Sequence, residues 1–235
     1  LVMRIASFIF VLIFALSTAA QTFSVKAPFD EGTRLAKSGE FERALVSYRA
    51  ALAVSKNSPI DPRFLARLHY NLGVCEYRLG RADKAIAELE TAIDLRDGEY
   101  SEASYALGMA ESERDNWAKA RAAFLGALKT NDRNGEAWFD LAYAYLGEND
   151  LKNAEAAFRN AIRLKSIDTP LSHNNVGVML AMRGEIEAAK AEFKAAVRKS
   201  GGRLKIAENN LRSCEIQASN VAKIELTLAQ RSKQT

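Results

Sequence analysis

A short pattern occurs five times along the chain, with a first spacing of 41 residues and later spacings of 35, 34 and 35 residues. Each copy has a small residue, an alanine twelve positions later, a large apolar side chain four positions further on, and a second alanine three positions after that. The small residues are Gly32, Gly73, Gly108, Ala142 and Gly177, and the first alanines are Ala44, Ala85, Ala120, Ala154 and Ala189. A fixed period of this length is typical of stacked repeats, which form one elongated core, rather than of a globular enzyme.

Within each unit the apolar residues are spaced as on two helices. In the fourth unit Trp138, Leu141 and Tyr145 share one helical face, and Ala154 and Phe158 share another. A residue suited to a turn lies between the two helices of every unit, at Gly39, Gly80, Asp115, Asn149 and Gly184. We therefore expect five antiparallel helix hairpins whose apolar faces are covered by their neighbours.

The residues of this pattern resemble a known repeat. Trp138, Leu141, Ala142 and Tyr145, followed by an alanine and a phenylalanine four residues apart in the second helix, are similar to the tetratricopeptide repeat. The run from Tyr70 to Gly73 matches the same part of the motif. This resemblance implies an all-α fold, a right-handed superhelical solenoid of antiparallel helix hairpins.

The repeat register predicts the domain organisation. We expect a solenoid over 21–218, with full repeats at about 25–58, 66–99, 101–134, 135–168 and 170–203 and the first helix of a partial sixth, then a capping helix and frayed tail over 219–235. The two prolines between Ser55 and Pro62 indicate an inserted loop. The structural positions of the repeat are expected to be Gly73, Ala85, Gly108, Ala120, Trp138, Ala154, Gly177 and Ala189.

The first twenty residues differ in composition from the rest. An apolar run from Ile5 to Leu16 follows Arg4, and small residues lead to Ala20. This order is typical of a secretory signal peptide, so we expect cleavage after Ala20 and a periplasmic or secreted protein. The alternative is an uncleaved anchor, and contact with a membrane is expected only in that case.

Charge and cysteine content exclude some classes of partner and bond. The chain has 33 Lys and Arg against 29 Asp and Glu, a net charge of +4 spread along the sequence, which does not favour a nucleic-acid partner. Cys75 and Cys214 occupy equivalent places four repeats apart, whereas a disulfide needs Cα atoms within about 7 Å. We expect both to be small buried packing residues.

No set of residues suggests catalysis. The two histidines, His69 and His173, fall in the column that Trp138 occupies in the fourth unit, where a packing or capping role is expected. The sequence has no phosphate-binding loop, paired-cysteine zinc spacing or HExxH pattern. We expect no enzymatic activity, no cofactor and no metal.

The resemblance to tetratricopeptide domains implies a concave groove, lined by the first helices, that holds a peptide segment of a partner protein. In the register of this chain the groove residues are Tyr70, Asn71, Tyr105, Met109, Phe139, Asp140, Tyr143, Asn174, Asn175 and Asn210. Asparagine suits this role because its amide both donates and accepts hydrogen bonds. Two other interpretations stay open: the aromatic residues close gaps between adjacent first helices, and the asparagines bond along their own solenoid.

The predicted function is that of a non-enzymatic interaction scaffold or assembly adaptor with a protein or peptide partner. One alternative is an accessory subunit that binds a glycan or cell-wall strand through its aromatic residues. Another is an oligomer in which the groove takes the segment from Ile224 to Leu228 of a second copy.

Overall fold

The computed structural model describes residues 25–56 and 60–217, and within these ranges it contains eleven helices and no strand. The helices are α1 (Lys26–Lys37), α2 (Phe41–Ser55), α3 (Pro62–Arg78), α4 (Ala82–Asp94), α5 (Ser101–Ser112), α6 (Trp117–Thr130), α7 (Gly135–Gly147), α8 (Leu151–Arg163), α9 (Thr169–Met182), α10 (Ile186–Ser200) and α11 (Lys205–Gln217). Each odd-numbered helix up to α9 forms a hairpin with the helix that follows it, and α11 is the first helix of a sixth unit. The predicted all-helical solenoid is confirmed.

The five predicted turns lie between the two helices of each hairpin. All five residues have positive φ: 79° at Gly39, 70° at Gly80, 57° at Asp115, 61° at Asn149 and 83° at Gly184. Glycine adopts this backbone conformation without a steric penalty, and Asp and Asn tolerate it better than other side chains do. The residue types in the repeat thus determine where each hairpin reverses.

A close approach of the two helices explains the small residue that begins each repeat. A Cβ atom built on Gly108 would lie 2.5 Å from the ring of Phe124, and one on Gly177 would lie 2.7 Å from the ring of Phe193. Real Cβ atoms do not come so near to a ring, so the first helix must be bare at this point for the second helix to place its large side chain against it. Ala142 takes this position in the fourth unit and is fully buried.

Seven of the eight predicted structural positions are buried: Gly73, Ala85, Gly108, Ala120, Ala154, Gly177 and Ala189. Trp138 differs, because its ring is only half-buried and its Nε1–H donates to the backbone oxygen of Asp132 at 2.8 Å. Its indole therefore holds the loop before α7 rather than filling the crossing between α7 and α8. Cys75 and Cys214 are buried free thiols, as the repeat register predicts.

The second unit begins earlier than the repeat register predicts. Helix α3 starts at Pro62, not near residue 66. The side chain of Asp61 accepts a hydrogen bond from the backbone N–H of Arg63 at 2.9 Å, and proline at the first helical position has the backbone angle a helix needs. Asp61 and Pro62 together start the helix one turn before the repeat pattern does.

Several predicted features lie outside the described residues: the signal peptide over 1–20, its cleavage after Ala20, the capping helix and tail over 219–235, and the segment from Ile224 to Leu228. Among the described helices, none is long and apolar enough to cross a membrane.

The first helices of successive units adjoin. Each helix packs against the next one in sequence, and α1 also contacts α3, α3 contacts α5, α5 contacts α7, and α9 contacts α11. The first helices therefore form one layer, and their exposed side chains share one face of the array.

Candidate functional site

We refer to the ten predicted groove residues as the first-helix stripe. Helices α3, α5, α7, α9 and α11 carry them, but the structure divides them by exposure. The half-buried members are Tyr70, Asn71, Tyr105, Met109, Asp140 and Tyr143, and the buried members are Phe139, Asn174, Asn175 and Asn210. All of the half-buried members belong to the second, third and fourth units.

The half-buried tyrosines are anchored on one side by other rings. The Tyr70 ring lies 5.4 Å from that of Tyr100, and the Tyr143 ring lies 5.4 Å from that of Phe158 in a T-shaped arrangement. Such contacts limit the rotamers of an aromatic side chain and leave the rest of its surface in a fixed place. The stripe therefore presents ordered aromatic surface.

The hydroxyl of Tyr70 remains a hydrogen-bond donor at neutral pH. Burial raises the pKa of Tyr70 above its usual value, and the nearby carboxylate of Glu102 raises it further. A protonated phenol can donate to a peptide carbonyl while its ring contacts an apolar side chain.

The buried asparagines bond to one another. Asn210 Nδ2 donates to Asn174 Oδ1 at 2.9 Å, Asn174 Nδ2 donates to Asn175 Oδ1 at 3.1 Å, and Asn175 Nδ2 donates to the Tyr143 hydroxyl at 2.7 Å. This chain of bonds joins α7, α9 and α11. It supports the interpretation that the asparagines bond along their own solenoid, since Asn174 and Asn175 have no exposed surface.

Phe139 is also fully buried. Its ring meets those of Tyr143 and Phe158 edge to face, at centroid distances of 5.1 and 5.6 Å. Both partner rings lie in the same hairpin, on α7 and α8, so Phe139 packs within the fourth unit.

A second polar link joins α5 and α7. The Tyr105 hydroxyl donates to Asp140 Oδ2 at 2.6 Å, a short bond to a carboxylate. Both residues belong to the predicted groove, but their hydrogen bond was not predicted. Their separation of 35 residues is the feature that could have indicated it, because it places them in adjacent units.

Arg67, near the start of the stripe, makes cation–π contacts with two aromatic rings. The Arg67 guanidinium lies 5.1 Å from the ring centroid of Phe29 and 5.9 Å from that of Phe64. A cation over a ring face is attracted by the ring's quadrupole, so this arginine helps to join α1 to α3.

Each histidine bonds across its own hairpin. His69 Nδ1 lies 2.7 Å from Glu88 Oε2, and His173 Nδ1 lies 2.6 Å from Glu192 Oε2. The two pairs occupy the same repeat positions in the second and fifth units. In the part of the chain that the structure describes, no three His, Cys, Asp or Glu side chains are grouped to hold a metal ion.

Sequence comparison finds relatives that contain similar repeats. The chain is 28% identical over 174 residues to BBSome complex member BBS4 from Mus musculus, and the match covers 74% of the chain and 32% of the relative. It is 27% identical over 160 residues to the general transcriptional corepressor ssn6 from Schizosaccharomyces pombe, where the match covers 66% of the chain and 14% of the relative. The chain thus spans less than a third of the length of either relative.

Solved structures share the fold. MamA from Desulfovibrio magneticus RS-1, solved from residue 41 to its end, superposes with a TM-score of 0.67 at 19% identity, covering 79% of this chain and 99% of the solved chain. YrrB, described as a TPR protein with an unusual peptide-binding site, superposes with a TM-score of 0.63 at 20% identity, covering 75% of this chain and 87% of YrrB.

The family model of the tetratricopeptide repeat matches residues 29–100 and 105–168, which together make up more than half of the chain. These ranges cover the second, third and fourth units, whose glycine, alanine and aromatic columns form the packed crossings described above. By its repeats and by its structure, this chain belongs to the tetratricopeptide repeat family.

Proposed function

We propose that this protein is a non-enzymatic interaction scaffold that binds a peptide segment of a partner protein on the half-buried part of the first-helix stripe. The tetratricopeptide fold is that of a protein–protein interaction module. The finer proposal is that α3, α5 and α7 form the binding surface.

One observation carries this proposal: three tyrosines and a methionine occupy successive first helices with part of their surface exposed. They are Tyr70, Tyr105, Met109 and Tyr143. Tyrosine is enriched where interfaces gain most of their binding free energy, and methionine adapts its shape to different apolar partners. Asn71, which is half-buried and makes no side-chain hydrogen bond within the described residues, can add an amide contact to a peptide backbone.

Two further points support a peptide ligand. YrrB, a solved structure with the same fold, is described as having an unusual peptide-binding site. The half-buried stripe also lies in one layer of helices already in contact with each other, so little entropy is lost in ordering it when a ligand binds.

We also propose that the protein works outside the cytoplasm. The support is the composition of the first twenty residues, in which an apolar run after Arg4 leads to small residues ending at Ala20.

The test is a selection of binding peptides from a displayed random library, followed by fluorescence anisotropy with the purified chain. Replacing Tyr70 or Met109 by Ala removes exposed surface of the stripe, and we expect the dissociation constant of the selected peptides to rise at least tenfold. A Tyr105→Ala variant is a poorer probe because it also removes the bond to Asp140.

Leu125→Ala is the matched control, because Leu125 is a 38% exposed apolar side chain on the second helix of the same unit as Met109. We expect it to leave peptide affinity unchanged. Equal losses for Met109→Ala and Leu125→Ala, with unchanged thermal unfolding, would move the binding surface away from the stripe. Binding of soluble cell-wall glycans in place of peptides, lost in the Tyr70→Ala variant, would support the glycan alternative instead.

A further inference from the structure

A cavity of about 710 Å³ lies at the edge of the array, between the fourth and fifth units and the start of the sixth. The last turn of α8, the loop after it, the first turn of α9 and the end of α10 surround it. No residue of the first-helix stripe lines it. Its volume is in the range of pockets that take small molecules or one to two side chains of a peptide.

Four cationic side chains line this cavity, which we call the cationic cavity: Arg163, Lys165, Lys199 and Arg203. Within the described residues none of the four takes part in an ion pair, whereas most arginines elsewhere in the array do. The lining contains one carboxylate, that of Asp168, which is buried. The cavity therefore has an excess of positive charge.

The helix ends account for only part of this charge. Cations in the last turn of a helix are favoured by its partial negative charge, and Arg163 in α8 and Lys199 in α10 fit that explanation. Lys165 and Arg203 lie beyond the helix ends. The first turn of α9 also lines the cavity and adds the partial positive charge of a helix amino end.

The cavity also has apolar walls. Ile162, Leu171 and Leu204 line it, and all three are half-buried. Ile167, at 81% exposure, is the most exposed large hydrophobic side chain in the described part of the chain, and it also belongs to the lining. Positive groups and apolar surface thus lie side by side.

The same junction is occupied in the neighbouring units. Before α5, the Arg96 guanidinium lies 5.0 Å from the ring centroid of Tyr100. Before α7, Trp138 bonds to the backbone oxygen of Asp132. The residue equivalent to Trp138 in the next unit is His173, a smaller ring that bonds to Glu192 on α10 instead. At the junction before α9, His173 lines the cavity.

We propose that the cationic cavity binds an acidic segment of a partner protein in which an aspartate or glutamate adjoins an apolar side chain. An inorganic anion would leave the apolar walls of the cavity exposed to water. A purely apolar ligand would cover those walls but leave the four positive charges without a counter-charge. A carboxylate beside a leucine or phenylalanine satisfies both surfaces, and arginine pairs well with a carboxylate. This site is independent of the first-helix stripe.

The experiment uses three fluorescent peptides that share glycine–serine flanks. The first has the core Glu-Leu-Glu-Phe, the second replaces both glutamates by glutamine, and the third replaces both apolar residues by serine. We expect the first to bind at least tenfold more tightly than either of the others, measured by anisotropy at low and at physiological salt. Equal affinities for all three peptides would overturn the proposal.

Charge reversal in the chain gives the matched test. The double variant Lys199→Glu with Arg203→Glu should weaken binding of the first peptide at least tenfold, and Ile167→Ala should weaken it a few-fold. Reversal of two exposed lysines that form no ion pair in the described residues, Lys84→Glu with Lys152→Glu, should change it less than threefold. If both double variants lost affinity for the first peptide equally, binding would depend on the net charge of the protein, and the proposed site would be wrong.

Two other occupants are outcomes of the same test. Tighter binding of anionic phospholipid vesicles or of a single-stranded oligonucleotide than of the first peptide, lost in the Lys199→Glu with Arg203→Glu variant, would replace the proposed peptide by that ligand. The Tyr70→Ala variant should bind the first peptide normally, so failure of the first-helix stripe and failure of the cationic cavity are distinguishable. Unchanged circular dichroism melting identifies variants that are folded.

Discussion

Helices α5 and α9 occupy the same place in their repeats, yet one is partly open and the other is closed. In α5 the stripe residues Tyr105 and Met109 are half-buried, whereas in α9 the equivalent residues Asn174 and Val178 are buried. Nine of the fourteen residues of α9 are buried. A helix that is buried on all sides has a structural role, so the array divides into an N-terminal part that offers surface and a C-terminal part that holds itself together.

The two regions differ in exposure because different side chains occupy equivalent positions of the repeat. Val74, Met109, Tyr143 and Val178 occupy one repeat position in four successive units, and Asn71 and Asn175 occupy another position in units that are three repeats apart. An equivalent substitution at two members of a column therefore compares the two regions with the chemistry held constant.

The largest effect is expected from a charge placed in the closed region. Val178 is 3% exposed, so Val178→Asp buries a carboxylate without a partner and should reduce the free energy of unfolding by about 4 kcal/mol or more. Val74→Asp, in the half-buried member of the same column, should cost about 1 to 2 kcal/mol. Urea unfolding followed by circular dichroism measures both. Similar costs at the two positions would remove the distinction between open and closed regions.

The next largest effect is expected from the asparagine chain. Asn175→Ala leaves the amide of Asn174 without its acceptor and removes the donor to the Tyr143 hydroxyl, at a cost of about 2 to 3 kcal/mol. Asn71→Ala, three repeats earlier, should change the free energy of unfolding by less than about 0.5 kcal/mol. If chemical denaturation gave Asn71→Ala the larger loss, the assignment of the two asparagines to different roles would be wrong.

Removing the hydroxyl of Tyr143 or of Tyr105 should have a smaller effect on the free energy of unfolding, and the two positions should differ. Tyr143→Phe removes the hydroxyl that accepts from the buried Asn175 amide and should cost about 1 to 2 kcal/mol. Tyr105→Phe removes a bond at a half-buried site and should cost about 1 kcal/mol or less. Thermal unfolding of the two single variants and the double variant checks this. Asp140 and Tyr143 lie one turn apart on α7, so the double variant measures how far the two costs are coupled.

The smallest expected effect is the response of the N-terminal part to alkaline pH. Burial, aided by the charge of Glu76, raises the pKa of the Cys75 thiol to about 11, and burial beside Tyr70 and Glu102 raises the pKa of Tyr100 to about 12. A group whose pKa is higher in the folded state stabilises the fold fully below its unfolded pKa and loses that contribution as pH rises toward the folded value.

Stability should therefore fall by about 1 kcal/mol between pH 8 and pH 10, where the unfolded thiol ionises before the folded one. Urea unfolding at several pH values measures the slope, and Cys75→Ala should make it shallower. A slope that Cys75→Ala leaves unchanged would assign the loss to other groups.

Repeat spacing was enough to predict the hairpins and their turns, because those depend on residues within a single unit. Residue 108 must be small because the ring of Phe124 packs against it. Phe124 lies only sixteen residues further along the same hairpin, so a single repeat contains both residues. The positive φ at Asp115 and Asn149 likewise follows from local residue type. The pattern did not predict the start of α3, where Asp61 and Pro62 form a local helix-initiating signal outside the repeat.

Exposure along the stripe could not be predicted in the same way. Asn71 and Asn175 occupy one column, and only the second has Tyr143 and Asn174 as hydrogen-bond partners from neighbouring positions. The cavity before α9 likewise combines side chains of the fourth and fifth units with residues just before α11. These outcomes depend on how side chains of two or three units fit together, which a column of residue types does not specify.

The bonds that run from one unit to the next also have a mechanical consequence. Tyr105 with Asp140, Tyr143 with Asn175, and Asn174 with Asn210 tie the third, the fourth and the fifth unit each to its successor. Any change in the pitch of the superhelix there must stretch or break one of these ties. Before the third unit, the contact described between first helices is that of the Arg67 guanidinium with the rings of Phe29 and Phe64. A partner that pulls on the protein would therefore load two different kinds of contact at the two ends of the array.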